Sequence, residues 1–147
     1  MPAILFEHDE DPADRICRLA GEIDDIEVFN DNVLVAVYER GDGKKEIKTA
    51  AGVIIPISST DEDEHQSKVG LILKMGNSAF VDKKPIQTWF IEQDMSEGDW
   101  VWFRPYSGWR VTLVSKDPKT GQKRELLCRV LKDTAIDGRA DTPDRIY

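Results

Sequence analysis

Hydrophobic and polar positions alternate along most of this 147-residue chain with the period of two that is typical of β-strands. The alternating runs are short, rich in β-branched and aromatic residues, and separated by clusters of Gly, Pro, Asp and Ser that favour turns. They predict seven strands, at Asn32–Glu39, Gly52–Ile57, Lys68–Met75, Gln87–Ile91, Asp99–Arg104, Trp109–Val114 and Glu125–Leu131. Seven short strands without a linker between them indicate one all-β sandwich or barrel.

The beginning of the chain carries the pattern of one short helix instead. Asp11 is suited to cap the first turn, Pro12 suits the first helical position, and Gly21 is a typical stop. A helix of this length is marginally stable alone. We therefore expect Ile16 and Leu19 to pack against the main domain or against another subunit.

Charge and pattern divide the chain into two parts. Residues 1–27 contain nine acidic residues and two arginines, a net charge of −7 within a total of −8. We predict an acidic N-terminal arm with a short helix over residues 1–27, followed by a near-neutral β domain over residues 28–147. The alternation is lost after Asp133, so we expect this domain to end in an irregular C-terminal tail.

The acidic balance also limits the partners. Lys and Arg contacts to phosphates dominate nucleic-acid affinity, so a nucleic-acid binder is disfavoured. Trp100 and Trp102 lie on one strand face without a basic stripe, and we interpret them as core or interface residues rather than a platform for stacked bases. No apolar run could span a bilayer and no signal-peptide pattern opens the chain, so we expect a cytoplasmic protein without a membrane partner.

No motif for catalysis or cofactor binding stands out. Cys17 and Cys128 have aliphatic neighbours and are predicted to be buried thiols. His8 and His65 have no partner at metal-ligand spacing. Ser78 lies in GNSAF, which lacks the second Gly of a nucleophile elbow. We therefore expect no enzyme activity, no metal and no cofactor.

The most specific signal is the order of several segments, which run DNVLVAVYE, EIKTAAGVIIP and SKVGLILKMGNSAF between Asp31 and Phe80. This order resembles the GroES-type co-chaperonin family, with its D-x-V-x-V strand, its K-[ST]-A-G-G loop with an aliphatic triplet, and its G-x-V-x-x-V-G-x-G strand and turn. SEGDWVWF and KRELLCRVLKDTAI are similar to later family segments, so the resemblance covers about Val28 to Ile136. The acidic helical leader most resembles enlarged co-chaperonin-like proteins of tailed phages.

The resemblance implies a small GroES-like β-barrel and a role for two segments. Val53, Ile54 and Ile55 would be the tripeptide that docks into a hydrophobic groove of a GroEL-type chaperonin, with Gly52 as a hinge. The segment that aligns with the roof hairpin of the folding chamber consists of Gly76, Asn77, Ser78, Ala79 and Phe80. The residue pattern alone leaves open that Val53–Ile57 is an ordinary buried strand.

The implied function is that of a lid subunit. Such a subunit forms a homo-oligomeric ring, a heptamer in the family, and binds a chaperonin that itself carries the ATP or ADP. It would act in the cytoplasm of a bacterial host and enclose a phage protein such as capsid protein. The family seals its ring with an apolar C-terminal strand, and KDTAIDGRADTP departs from that pattern. The alternative is a structural virion protein, a capsid decoration or head-associated protein on the same fold.

Overall fold

The computed structural model describes residues 10–38, 68–81 and 95–143, together with the backbone of two short strands at 46–48 and 54–56. In this part of the chain, helix α1 (Pro12–Ala20) precedes eight strands, whose bounds are β1 (Asn32–Val37), β2 (Glu46–Lys48), β3 (Ile54–Pro56), β4 (Val69–Met75), β5 (Trp100–Phe103), β6 (Trp109–Lys116), β7 (Lys123–Lys132) and β8 (Ile136–Ala140). The predicted strand at residues 87–91 lies outside the described residues.

Six of these strands form one antiparallel sheet in the order β6-β7-β1-β4-β5-β8, whereas β2 and β3 form a separate two-stranded sheet. The prediction of an all-β fold preceded by one helix is confirmed, and β1, β4, β5, β6 and β7 lie where the alternation places them. The turn between β6 and β7 is also as predicted. In that turn the Asp117 carboxylate accepts a hydrogen bond from the Lys119 amide at 2.8 Å.

Strand β1 is the central strand, and it is buried on both faces. One face contributes to an inner cluster, which we define by its buried members Val33, Val35, Ile72, Val101, Phe103 and Leu131. The other face contributes to an outer cluster, which we define by Ile16, Ala20, Leu34, Ala36, Tyr38, Val69, Leu71, Leu73, Trp100, Leu126 and Cys128. The sheet therefore lies between two hydrophobic layers.

The connection from β7 to β8 requires the sheet to curl into a barrel-like form. Three strands lie between β7 and β8 in the sheet, which in a flat sheet would separate them by about 19 Å. They are joined by one 3₁₀ turn, Asp133–Ala135, and the steps from Lys132 to Ile136 span at most about 14 Å. The curl brings Ile136 of β8 against the inner cluster that contains Leu131 of β7.

Helix α1 covers the outer cluster, and its boundaries are those that the sequence predicts. The Asp11 carboxylate accepts a hydrogen bond from the Ala13 amide at 2.9 Å and caps the first turn. Ile16 is 3% exposed within the outer cluster, and Leu19 packs against it. The Ser115 hydroxyl on β6 donates to the Leu19 carbonyl at 2.8 Å. The expected packing of the helix against the main domain is confirmed.

The prediction for the two cysteines is half right. Cys128 is fully buried on β7, and burial raises the pKa of its thiol to about 12. Cys17 is exposed, so its predicted burial is wrong. It follows the buried Ile16 directly, and successive residues of a helix point about 100° apart, which turns its thiol to solvent.

The prediction of an irregular C-terminal tail is wrong for residues 136–140, which form the edge strand β8 on β5. The sequence conceals this strand because Asp and Gly have low β-propensity. Its small residues face the indoles of the neighbouring strand, since Ala140 pairs with Trp100 and Gly138 with Trp102. A Cβ atom on Gly138 would lie 2.1 Å from Cζ2 of Trp102. Only glycine lets β8 pass this close to the ring.

We expect Ile16→Ala to lower the free energy of unfolding by about 3 kcal/mol, because it leaves a cavity between α1 and the outer cluster. The matched control is Cys17→Ala on the exposed side of the same helical turn, which we expect to change it by less than about 0.5 kcal/mol. Urea unfolding followed by circular dichroism measures both. Equal effects of the two substitutions would show that the helix is not part of the core.

We expect Gly138→Val to lower the free energy of unfolding by about 2 kcal/mol, because the new side chain collides with Trp102 and pushes β8 away from β5. The control is Asp137→Val, which adds the same side chain at an exposed neighbour. Urea unfolding gives the stability, and indole fluorescence reports the surroundings of Trp102. A stable Gly138→Val protein with unchanged fluorescence would contradict this packing.

Candidate functional site

The first candidate segment lies on the small two-stranded sheet. Strand β3 contains Ile54 and Ile55, and it pairs antiparallel with β2 through three residue pairs, Lys48 with Ile54, Ile47 with Ile55 and Glu46 with Pro56. Strand β2 was not predicted, because its residues belong to a polar stretch that reads as a surface connection. Gly52 and Val53 lie outside the described residues. Ile54 and Ile55 therefore belong to a strand that is not part of the six-stranded sheet.

The second candidate segment, Gly76–Phe80, forms a turn after β4 that is tied to the first residue of β1 and to a residue just before it. The Gly76 amide donates to the Asn32 carbonyl at 2.9 Å, and the Ser78 amide donates to the Asn30 carbonyl at 3.0 Å. Asn77 and Ser78 are exposed. The two bonds anchor the turn to the domain.

Gly76 is needed for this close approach. A Cβ atom there would lie 2.1 Å from the Asn30 carbonyl oxygen, a backbone atom that cannot move away as a side chain can. Further along the turn, Ala79 and Phe80 pack against the inner cluster. The end of the turn therefore packs against the inner cluster, while its middle faces solvent.

The two candidate segments connect to opposite ends of the β1–β4 pair. Val33 of β1 pairs with Met75, next to the turn, whereas Val37 pairs with Gly70 near the start of β4. Four residues of strand separate these ends by about 13 Å. From the Val37 end the chain continues toward β2 and β3, and from the Met75 end it enters the turn. The two segments are thus connected to the strand pair at opposite ends.

The tryptophans of β5 are packing residues, as the sequence predicts. Trp100 is 7% exposed in the outer cluster. Its ring meets Tyr38 edge to face, with ring centroids 5.7 Å apart and an interplanar angle of 78°. Trp102 lies over Gly138 of β8. Trp100 therefore has no free face on which a base could stack.

Sequence reasoning missed one feature of this region, the edge strand β8. No local signal reveals it, because Gly138 and Ala140 suit a strand only opposite the rings of Trp102 and Trp100. Two charge contacts accompany the pairing. Arg139 Nη1 lies 3.4 Å from Asp99 Oδ2, and Arg104 Nε lies 4.0 Å from Asp137 Oδ2.

Neither a cluster of metal-ligating side chains nor a membrane-spanning helix is present in the part of the chain that the structure describes. Within residues 10–38, 68–81 and 95–143, no group of three or more His, Cys, Asp or Glu side chains is placed to hold a metal ion. In the same ranges, no helix has the length and apolar character needed to cross a membrane.

Comparison with known proteins identifies the class to which this fold belongs. The family described as Chaperonin 10 Kd subunit matches residues 25–130, which is more than half of the chain, and the protein belongs to this family. It is also similar to the Co-chaperonin GroES of Deinococcus radiodurans, with 29% identity over 102 residues, 69% of this chain and 95% of that relative. Helix α1 and strand β8 both lie outside the family match.

We expect Gly76→Ala to lower the free energy of unfolding by about 2 kcal/mol, since its Cβ would force the turn away from the Asn30 carbonyl. The control is Ser78→Ala, which introduces the same side chain on the exposed side of the turn. It keeps the hydrogen bond from the backbone amide of residue 78 to the Asn30 carbonyl. Urea unfolding of both variants measures the difference. A Gly76→Ala protein as stable as Ser78→Ala would mean that the turn is not held by this contact.

Proposed function

We propose that the protein is a co-chaperonin, a lid subunit that binds a GroEL-type chaperonin through Val53, Ile54 and Ile55, with Gly52 as a hinge. The observation that carries the proposal is the family match over residues 25–130, which includes both candidate segments. The name of the Deinococcus radiodurans relative, Co-chaperonin GroES, supports the same role. The Gly76–Phe80 turn would lead into the roof of the folding chamber.

The geometry of β3 suits a binding segment. A two-stranded ladder of three pairs is marginally stable in water unless it packs against something else. Burial of Ile54 and Ile55 in an apolar groove of the chaperonin would supply such a contact. Ordering such a segment costs conformational entropy, so each contact is weak. Several copies in one ring bind together with high avidity and still release when the chaperonin changes state.

We propose a homo-oligomeric ring, a heptamer as in the family. Strand β8 supports this, because it lies at an edge of the sheet and pairs within the described residues with β5 alone. An edge strand offers backbone groups to a strand of another chain. Pairing through one edge to a different segment of the next copy gives a head-to-tail contact, which closes into a ring.

We further propose that this lid is of the enlarged phage-encoded type, that it acts in the host cytoplasm, and that its client is a phage protein such as capsid protein. The acidic, helical N-terminal arm supports this assignment, since it lies outside the family match. The protein would have no catalytic step and no cofactor of its own. The nucleotide would be bound by the chaperonin.

The test is native mass spectrometry of the full chain, alone and mixed with a GroEL-type chaperonin and ADP. We expect a ring that forms a nucleotide-dependent complex, and we expect Ile54→Asp to weaken that complex at least about a hundredfold, because each copy places a charge in an apolar groove and the losses combine. The matched control is Val114→Asp, which introduces the same charge at an exposed position on β6 and should bind normally.

Two results would contradict the proposal. One is a folded protein that does not bind the chaperonin, whether ADP is present or absent. The other is equal binding by the wild-type protein and Ile54→Asp. Detection of the protein in assembled virions, together with a failure to bind chaperonin, would favour the structural role on the same fold.

A further inference from the structure

A buried carboxylate joins the Gly76–Phe80 turn to the connection between β7 and β8. Asp133 is 0% exposed. Its Oδ2 atom accepts a hydrogen bond from the Phe80 amide at 3.0 Å. Its own amide donates to the Asp31 carbonyl at 3.0 Å. One residue therefore contacts the turn after β4, the segment before β1 and, through the chain, the start of β8.

The residue that receives this support has an unfavourable backbone. Phe80 has φ of 58°, in the left-handed region that residues with a Cβ rarely occupy. Such a conformation persists only when surrounding contacts hold it. Two contacts are present, because the Phe80 side chain packs against the inner cluster and its amide binds Asp133. The carboxylate fixes the backbone at the point where the ring alone would leave it free to rotate.

The chemistry of the contact explains why the residue is an aspartate. An ionised carboxylate only accepts hydrogen bonds, and its bonds to backbone amides are shorter and stronger than those between neutral groups. Its short side chain fixes the acceptor close to the 3₁₀ turn. A buried carboxylate is also costly unless hydrogen bonds compensate it. The Phe80 amide is one such donor, so each group stabilises the placement of the other.

We propose that Asp133 is a positioning residue that fixes the end of the Gly76–Phe80 turn relative to the connection that leads into β8. The proposal deepens the proposed function and rests on it. In the proposed lid, the turn is the base of the roof, and β8 is the edge strand that meets the next copy. Because Asp133 belongs to the 3₁₀ turn that precedes β8, this 3₁₀ turn also sets the direction in which the chain leaves Phe80. The roof base and the subunit edge would then move as one unit.

The experiment is hydrogen exchange of the full chain, read by mass spectrometry for peptides that cover residues 76–81, 69–75 and 133–140. In Asp133→Asn we expect exchange in 76–81 to accelerate at least about tenfold, because the charged acceptor for the Phe80 amide is lost. Exchange in 69–75 should stay within about twofold of the wild type. A purely structural role would instead accelerate all three peptides together through lower global stability.

The matched control is Asp31→Asn. This aspartate lies near the same site, and its carboxylate forms an ion pair with Lys132 at 3.0 Å. We expect no change in peptide 76–81. Unchanged exchange of this peptide in Asp133→Asn, or the same acceleration in Asp31→Asn, would overturn the proposal.

A second measurement on the wild-type protein keeps the proposal testable if Asp133→Asn fails to fold. In native-state exchange at increasing urea, we expect peptides 76–81 and 133–140 to open together at a free energy below that of 69–75. Opening of 76–81 together with 69–75 would overturn it. Chaperonin binding by the wild type is a separate result, so loss of the positioning role and loss of the proposed function can be told apart.

Discussion

The structure depends on one strand, β1, that is buried on both faces. Val33 and Val35 belong to the inner cluster, while Leu34 and Ala36 belong to the outer one. Because β1 pairs with β4 on one side and β7 on the other, both hydrophobic layers are built around it. A strand of this kind loses contacts on both sides if it shifts register by one residue, since that exchanges its two faces. The register of β1 against β4 therefore sets the position of the Gly76–Phe80 turn, which follows β4.

Burial on both faces makes the N-terminal arm part of the domain. The outer layer contains Leu126 and Cys128 from β7, and it would face water if α1 did not cover it. The family match begins at residue 25, after this helix. The helix that covers the outer layer is therefore an addition to the matched region. Within residues 11–27 the acidic side chains are exposed while Ile16 and Ala20 are buried. The arm differs from the β domain in net charge, but its helix is packed against that domain.

Sequence reasoning identified the elements with strong local signals and missed those that depend on a neighbour. Asp11 and Pro12 define the helix start by their own chemistry, and the alternation of β1 and β4 is continuous. Strand β8 has no such signal. Gly138 is unfavourable for a strand by itself and becomes suitable only opposite Trp102. The same holds for the candidate site. The order of motifs identified the Gly76–Phe80 turn from the sequence. Asp133 was missed because it lies 53 positions from Phe80, and only the curled sheet brings the two residues together.

The two candidate segments differ in the backbone bonding that the structure describes for them, and this difference bears on the proposed lid. Strand β3 is paired with β2 through three residue pairs, and a two-stranded ladder adds little stability of its own. The turn at the other end of the β1–β4 pair has bonds to Asn30, Asn32 and Asp133. A lid must bind and release a chaperonin at one end while keeping a fixed shape over the enclosed protein at the other. In the proposed lid, a short ladder would suit the first task, and backbone bonds to the domain would suit the second.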